Sequence, residues 1–230
     1  MKKFTKIITT VSVALMLSST FASAAMKGSK HDIGGAEGGN EGDDQRICVY
    51  CHTPHGASLV EGAPLWNKVL PSGEGFTMYG TTYAGNNPEA TISGPSLVCL
   101  SCHDGVNAVN SVVNMPGRAG YNVDGTIMGA AVRMTISPVL TVANDGLTND
   151  HPISIIYDET AASLRPKTTV LASIEGAPAA DWGNYTTIQN LLRSDRVECG
   201  SCHDPHRAEN GTFLRIKNTG SALCLTCHDK

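Results

Sequence analysis

Eight cysteines and eight histidines carry the recognisable chemistry of this 230-residue chain. Every cysteine falls in a C-x-x-C-H unit: Cys48-Val49-Tyr50-Cys51-His52, Cys99-Leu100-Ser101-Cys102-His103, Cys199-Gly200-Ser201-Cys202-His203 and Cys224-Leu225-Thr226-Cys227-His228. Two thiols three positions apart lie on one side of a helical turn, where they can add across the two vinyl groups of a haem. The histidine that follows is then held beneath the iron as its proximal ligand. Disulfides in an exported chain, or zinc on C-x-x-C pairs, would use the same cysteines. Neither explains a histidine after every pair. The motifs therefore point to four covalently bound haem c groups, attached at Cys48, Cys51, Cys99, Cys102, Cys199, Cys202, Cys224 and Cys227, with His52, His103, His203 and His228 as proximal iron ligands.

Four haems ask for four sixth ligands, and four histidines remain: His31, His55, His151 and His206. His55 and His206 close the runs Cys51-His52-Thr53-Pro54-His55 and Cys202-His203-Asp204-Pro205-His206. Two histidines that close cannot grip opposite faces of one porphyrin, so each must serve a haem other than the one just upstream. Three residues span at most roughly 10 Å, which makes neighbouring haems near neighbours in space. His151 sits in Asn149-Asp150-His151-Pro152, a turn entering an apolar, strand-like run. His31 opens an arm containing Gly34, Gly35, Gly38, Gly39 and Gly42 with Glu37, Glu41, Asp43 and Asp44, a composition that favours an extended segment. The 17 residues from His31 to Cys48 reach roughly 55 Å when extended, enough for the chain's own first haem or for a neighbouring molecule. Met26, Met78, Met115, Met128 and Met134 are alternative sixth ligands, but they recur in no motif.

The elements that must position these residues read as a duplication. Each half contains a lone histidine, a C-x-x-C-H-x-P-H run, and a second motif of pattern S-x-x-C-L-[ST]-C-H-D. The division is residues 25–104 as a first two-haem repeat, 105–150 as a haem-free connection, and 151–230 as the second repeat. Short strands are expected at 132–136 and 139–142. A short helix is expected within 181–193, where Ile188, Leu191 and Leu192 share a face. Elsewhere Gly and Pro punctuate too often for long elements. Aromatic residues make up 5% of the chain, so large side chains for an ordinary core are few. The expected fold class is a multihaem cytochrome c: mostly irregular chain, with short helices and a few short strands, wrapped around a stack of four haems that form most of the core. Trp66 and Trp182 fit equally as haem-facing rings or as core anchors.

Residues 1–24 read as a signal peptide. Lys2, Lys3 and Lys6 precede an apolar stretch too short to span a bilayer, and Ala22-Ser23-Ala24 gives a small-x-small cleavage pattern. The expectation is export without a membrane anchor, which suits haem attachment outside the cytoplasm. Without those three lysines, 14 basic side chains face 21 acidic ones, a balance that argues against nucleic acid as partner. Asn184-Tyr185-Thr186 and Asn210-Gly211-Thr212 match a common glycosylation pattern. Asn144-Asp145-Gly146 reads as a turn in preference to a calcium site.

On these motifs the chain resembles multihaem c-type cytochromes with doubled C-x-x-C-H units. Within them it is similar to the OmcE-like tetrahaem cytochromes that polymerise into extracellular filaments, through its four motifs, the Cys-His-Thr-Pro-His run at 51–55 and the His-Asp pair at 31–32. That resemblance implies a homopolymer that conducts electrons to redox proteins or acceptors outside the cell, with one haem in each protomer ligated by its neighbour. It favours His31 as the ligand that crosses. Iron held by two histidines has no open position, so the expected role is electron transfer and not catalysis. A monomeric periplasmic shuttle, and a reductase with one open haem, are the rival readings. The exported chain should weigh more than its polypeptide by four haem masses. A haem-free, zinc-bearing product in the intact-mass spectrum would contradict the reading.

Overall fold

The computed structural model describes residues 26–33, 47–79, 91–92, 94–115, 121–127, 131, 133–134, 140, 146–148, 150–174, 182 and 184–229. The leader at 1–24 and the glycine-rich arm beyond Ile33 lie outside the described residues, as do most positions of the strands expected at 132–136 and 139–142.

Among the described residues, three two-stranded antiparallel ribbons and a few short helices make up the regular structure. Strand β1 (Ser58–Val60) pairs with β2 (Ala63–Trp66) through a tight turn in which Gly62 takes a φ of 82°. Strand β3 (Ser111–Asn114) pairs with β4 (Tyr121–Ile127), and β5 (Ile155–Ile156) pairs with β6 (Arg196–Val197). Helix α1 (Gly94–His103) carries the second C-x-x-C-H unit on its last turns. The short helices α2 (Ile188–Leu191), α3 (Cys199–Cys202) and α4 (Ala222–Cys227) follow. Helix α2 realises the helix expected within 181–193. Its first turn is held by the Asn190 side-chain oxygen, which accepts from the backbone N–H of Thr186 and Thr187. The apolar run after His151 becomes β5. The first two ribbons gave no clear sequence signal: β1, β2 and β3 are three or four residues long, and the alternation of β4 is interrupted by Gly125.

The histidine after each motif ends its helix. His203 and His228 are C-caps with extended backbones, at φ −109° and −92°. A residue that leaves a helix extended can pair with a neighbouring strand, and both do so. In the first, third and fourth motifs a turn of helix thus delivers two sulfurs and one bridge-paired residue at once delivers an imidazole, whereas His103 is the last residue of its helix.

The second half has an apolar core of its own, which the sparse aromatic content did not suggest. Tyr157, Leu171, Trp182, Ile188, Leu191 and Ile216 are all buried in one cluster. Smaller clusters form around Tyr50 and Val112, and around Ile92, Leu100 and Leu147. Each small cluster lies against a C-x-x-C-H unit and each is too small to stand alone, so packing around motifs one and two depends on what the motifs bind. Ile188 is fully buried in the largest cluster. Ile188→Ala should lower the unfolding free energy of the loaded protein by about 2–5 kcal/mol, read as a drop in the denaturant midpoint at unchanged slope.

Candidate functional site

Three of the four motifs are gripped by the same clamp. The backbone N–H of Asn67 donates to the carbonyl of Cys51 at 2.8 Å, and its side-chain amide donates to the carbonyl of Val49, one residue past the first cysteine, at 2.7 Å. Arg215 does the same on the third motif, with N–H to Cys202 carbonyl at 2.9 Å and Nε to Gly200 carbonyl at 2.7 Å. Arg165 does it on the fourth, with N–H to Cys227 carbonyl at 2.9 Å and Nε to Leu225 carbonyl at 3.0 Å. The carbonyls near a helix C-terminus lack partners within the helix, and here the clamp supplies them. Both arginines also pair with the aspartate that follows the proximal histidine, Arg215 with Asp204 at 3.5 Å and Arg165 with Asp229 at 3.2 Å. Burial pushes the Asp204 carboxyl up, but hydrogen bonds from the His206 ring and backbone, together with the Arg215 charge, outweigh it and hold the group at about 2.

On the first and third motifs the clamping segment also orients the proximal ring. His52 Nδ1 lies 2.8 Å from the Pro64 carbonyl, and Thr53 N–H donates to the next carbonyl, that of Leu65. His203 Nδ1 lies 3.0 Å from the Thr212 carbonyl, and Asp204 N–H donates to that of Phe213. Successive carbonyls of an extended strand face opposite ways. Here two of them are turned to one side across a residue in the left-handed region, Leu65 (φ 58°) on the first motif and Phe213 (φ 56°) on the third. With Nδ1 donating to a carbonyl, Nε2 is left as the metal-binding atom. The distal candidates are tethered alike: His31 Nδ1 to Pro205 carbonyl at 3.4 Å, His151 Nδ1 to Pro152 carbonyl at 2.9 Å, and His206 Nδ1 to the Asp204 carboxylate at 3.4 Å.

Three proximal rings are each faced by one distal ring at nearly one distance. The ring centres are 6.1 Å apart for His52 and His206, 6.2 Å for His103 and His31, and 6.3 Å for His228 and His151. These rings do not touch. A metal–imidazole bond is roughly 2 Å and the ring centre lies roughly 1 Å behind its nitrogen, so two imidazoles across one metal have centres roughly 6 Å apart. The residues present therefore fit a haem c iron held from both sides. A zinc site would need three or four converging ligands, and none exists among the described residues. Burial, opposed by the hydrogen bond to Pro205 and reinforced by nearby histidines, lowers the His31 pKa and keeps its ring neutral, the form that binds metal.

His206 thus reaches a different motif from the one just upstream, as the three-residue spacing requires. His151 serves the fourth motif. Within one chain the His31 ring lies opposite His103 and stacks on Phe213 at 4.0 Å, which places it at the second motif and not at the first. The arm's reach left its target open, and the stacking surface that fixes it comes from 182 residues away. Two histidines stay outside the pattern. Among the described residues no imidazole lies at this distance from His203, and His55 lies at it from none. Both are exposed.

The motifs touch in sequence order. Cys51 of the first lies near Cys102 of the second, Cys99 of the second near Cys199 of the third, and Cys202 of the third near Cys224 and Cys227 of the fourth. The middle junction is pinned by Glu198, 1% exposed, which accepts from the hydroxyls of Ser96 and Ser154. None of the eight cysteines, all of them among the described residues, forms a disulfide. Trp66 stands edge-on to the His52 ring at 5.9 Å and Trp182 is a core anchor, and the buried indole N–H of each finds no acceptor among the described residues. Sequence reading missed Asn67, Arg165, Arg215, Lys68 and Glu198. The clamps lie at unequal separations from their motifs, and Arg165 comes before the motif it holds, so no spacing marks them.

A family model described as a doubled CXXCH motif matches residues 193–230, the third and fourth units. No curated protein matches the chain. The match, with the paired imidazoles, indicates a multihaem c-type cytochrome whose motifs bind haem covalently and serve electron transfer. Arg215→Ala should leave the Gly200 carbonyl and the Asp204 carboxylate without their cation. It should cost about 1–3 kcal/mol of stability, and Arg215→Lys should restore only part, because a lysine ammonium cannot reproduce the forked contact. Thermal unfolding followed at the haem absorption band reads both.

Proposed function

We propose that the chain is one link of an extracellular electron conduit, and that His55 of one subunit completes the haem on His203 of the next. The observation that carries this reading is the pair of histidines left over when the other six have met. The repeat gives the leftover pair a direction. His31 serves the second motif and His151 the fourth, so these two are equivalent ligands within their halves. His206 of the second half serves the first motif, in the other half. The equivalent of His206 in the first half is His55, and its equivalent target is the third motif. A closed pseudo-two-fold arrangement would bring His55 to His203 of its own chain. An open arrangement sends His55 onward, and repeated head-to-tail contacts that do not close generate a filament. The His55 backbone is held ready, its carbonyl accepting from Asn114 at 2.7 Å and Thr53 at 3.0 Å, while the residue itself is exposed.

In this reading the haem supplies one-electron chemistry, cycling between ferric and ferrous iron. The chain's own residues hold the imidazoles neutral and aimed, close both axial positions to substrates, and keep successive motifs in contact so that an electron passes along them. That is the work of a carrier and not of an enzyme. The resemblance to filament-forming cytochromes and the acidic, exported character expected from the sequence support the same reading.

His55→Ala should abolish filaments in electron micrographs and leave one haem per chain high-spin by electron paramagnetic resonance. Added imidazole should return that haem to low spin without restoring filaments. His206→Ala should instead perturb the first motif's haem and leave assembly in place. A wild-type protein that stays monomeric with every haem low-spin would favour the periplasmic shuttle, and one with a persistent high-spin haem that reduces a small oxyanion would favour the reductase.

A further inference from the structure

Lys68 is 2% exposed and no carboxylate pairs with it among the described residues. Its ammonium donates to the carbonyls of Val109 at 2.7 Å and Ser111 at 2.9 Å. Cys102 and Cys51 both lie close enough to feel its charge. The cation thus occupies the junction where the first and second motifs meet. Asp104 also acts on Cys102, but its carboxylate is engaged by the N–H groups of Val106 and Asn107 and by the Asn107 amide.

Burying an ammonium without a counter-ion is costly, so its presence calls for a reason. The scaffold does not require it. Lys68 follows the clamp residue Asn67, and the residues that follow the equivalent clamps are Ile216 and Pro166. Ile216 is fully buried, so an apolar side chain fills the same place on the third motif. A charge is present at one motif where an uncharged side chain serves at the others.

We propose that Lys68 raises the reduction potentials of the haems on the first and second motifs above those on the third and fourth, making this end of the chain the one where electrons collect. The proposal rests on the haem and electron-transfer reading but not on polymerisation. The step is a one-electron exchange: a ferrous iron on a later motif becomes ferric as a ferric iron on an earlier motif becomes ferrous, and no proton or ligand moves. Ferrous iron carries one positive charge fewer than ferric, so a fixed cation in a water-poor site favours the reduced state.

The test is spectroelectrochemical titration of the haem-loaded protein with Lys68→Met, Lys68→Gln and Lys68→Arg. Glutamine keeps a donor for the two carbonyls and removes the charge, while arginine keeps the charge. In the Met and Gln variants the ferrous-to-ferric ratio of the two highest-potential haems should fall about tenfold at fixed electrode potential, a shift of about 59 mV per one-electron site. The arginine variant should stay near the wild type. Unchanged potentials in Lys68→Gln, or an arginine variant that shifts as far as methionine, would show a merely structural lysine and overturn the proposal. If none of the variants folds, paramagnetic NMR of the native protein at stepwise potentials decides. The haems ligated by His52 and His103 should be reduced first, and early reduction at His203 or His228 would sink the idea. A protein purified without haem would overturn the underlying reading before any potential is measured, and a monomeric one would remove only the polymer.

Discussion

The fold depends on one distance. Two imidazoles on opposite sides of an iron must sit with their rings roughly 6 Å apart, and three pairs here do so within 0.2 Å of one another. Each pair joins residues remote in sequence: His31 with His103, His52 with His206, His151 with His228. A ligand pair acts as a cross-link, and the entropy lost in closing such loops must be recovered from the coordination bonds and from packing around the porphyrin. This explains why the ribbons can be two strands wide and two of the apolar clusters so small. A two-stranded ribbon is marginal in water, and it persists here because its residues have a second task, closing on a motif.

The clamps show how that task is built. A C-x-x-C-H turn is too short to hold its own histidine steady, and its last carbonyls need donors. One segment answers both needs by giving a backbone N–H and a side-chain N–H to the helix end and, on the first and third motifs, a carbonyl to the ring. The left-handed backbones of Leu65 and Phe213 are the cost of presenting two carbonyls on the same side. Phe213 then stacks its ring on His31, so one residue serves both the third motif's clamp and the second motif's distal ligand. On the first motif Asn67 stands where arginine stands on the third and fourth, and Thr53 stands where they have aspartate. The charged pair and the neutral pair change together, as they must when neither partner can be left without a counterpart near a half-buried helix end.

What could be read from the sequence follows from the range of the interactions involved. The sulfur attachment and the proximal histidines are local, decided within five residues, and the motif states them outright. That His206 must leave its own haem is also local, since three residues cannot pass around a porphyrin. The short helix at Ile188 and the strand after His151 were legible because their apolar residues sit at regular spacing. The distal partners are non-local. Nothing in the residues around His31 names His103, and the ring that positions it, Phe213, lies in the other half. Arg165, Arg215 and Asn67 were invisible for the same reason, each looking like an ordinary polar residue until its carbonyl acceptors are known. The resemblance to filament cytochromes pointed to a ligand that crosses between subunits, and the 17-residue arm between His31 and Cys48 gave His31 the reach to be one.

A crossing ligand at His55, as proposed, would give assembly a different physics from one at His31. A ligand on a long glycine-rich arm would lose much conformational freedom on binding, and its haem would be positioned only after the arm had settled. His55 is three residues from an iron ligand, its carbonyl is fixed by two side chains, and the motif before it is held by Asn67. Little freedom remains to be lost, so more of the coordination energy is available for association. In the proposed conduit the geometry of one subunit's first motif would be passed directly to the next subunit's third motif, because His52 and His55 lie on the same short, clamped segment. Haem-to-haem spacing across the junction would then be set by the same three-residue step that sets it within the chain, where His203 and His206 join the third motif to the first. A conduit needs that uniformity, since transfer along a row of sites is limited by its widest gap.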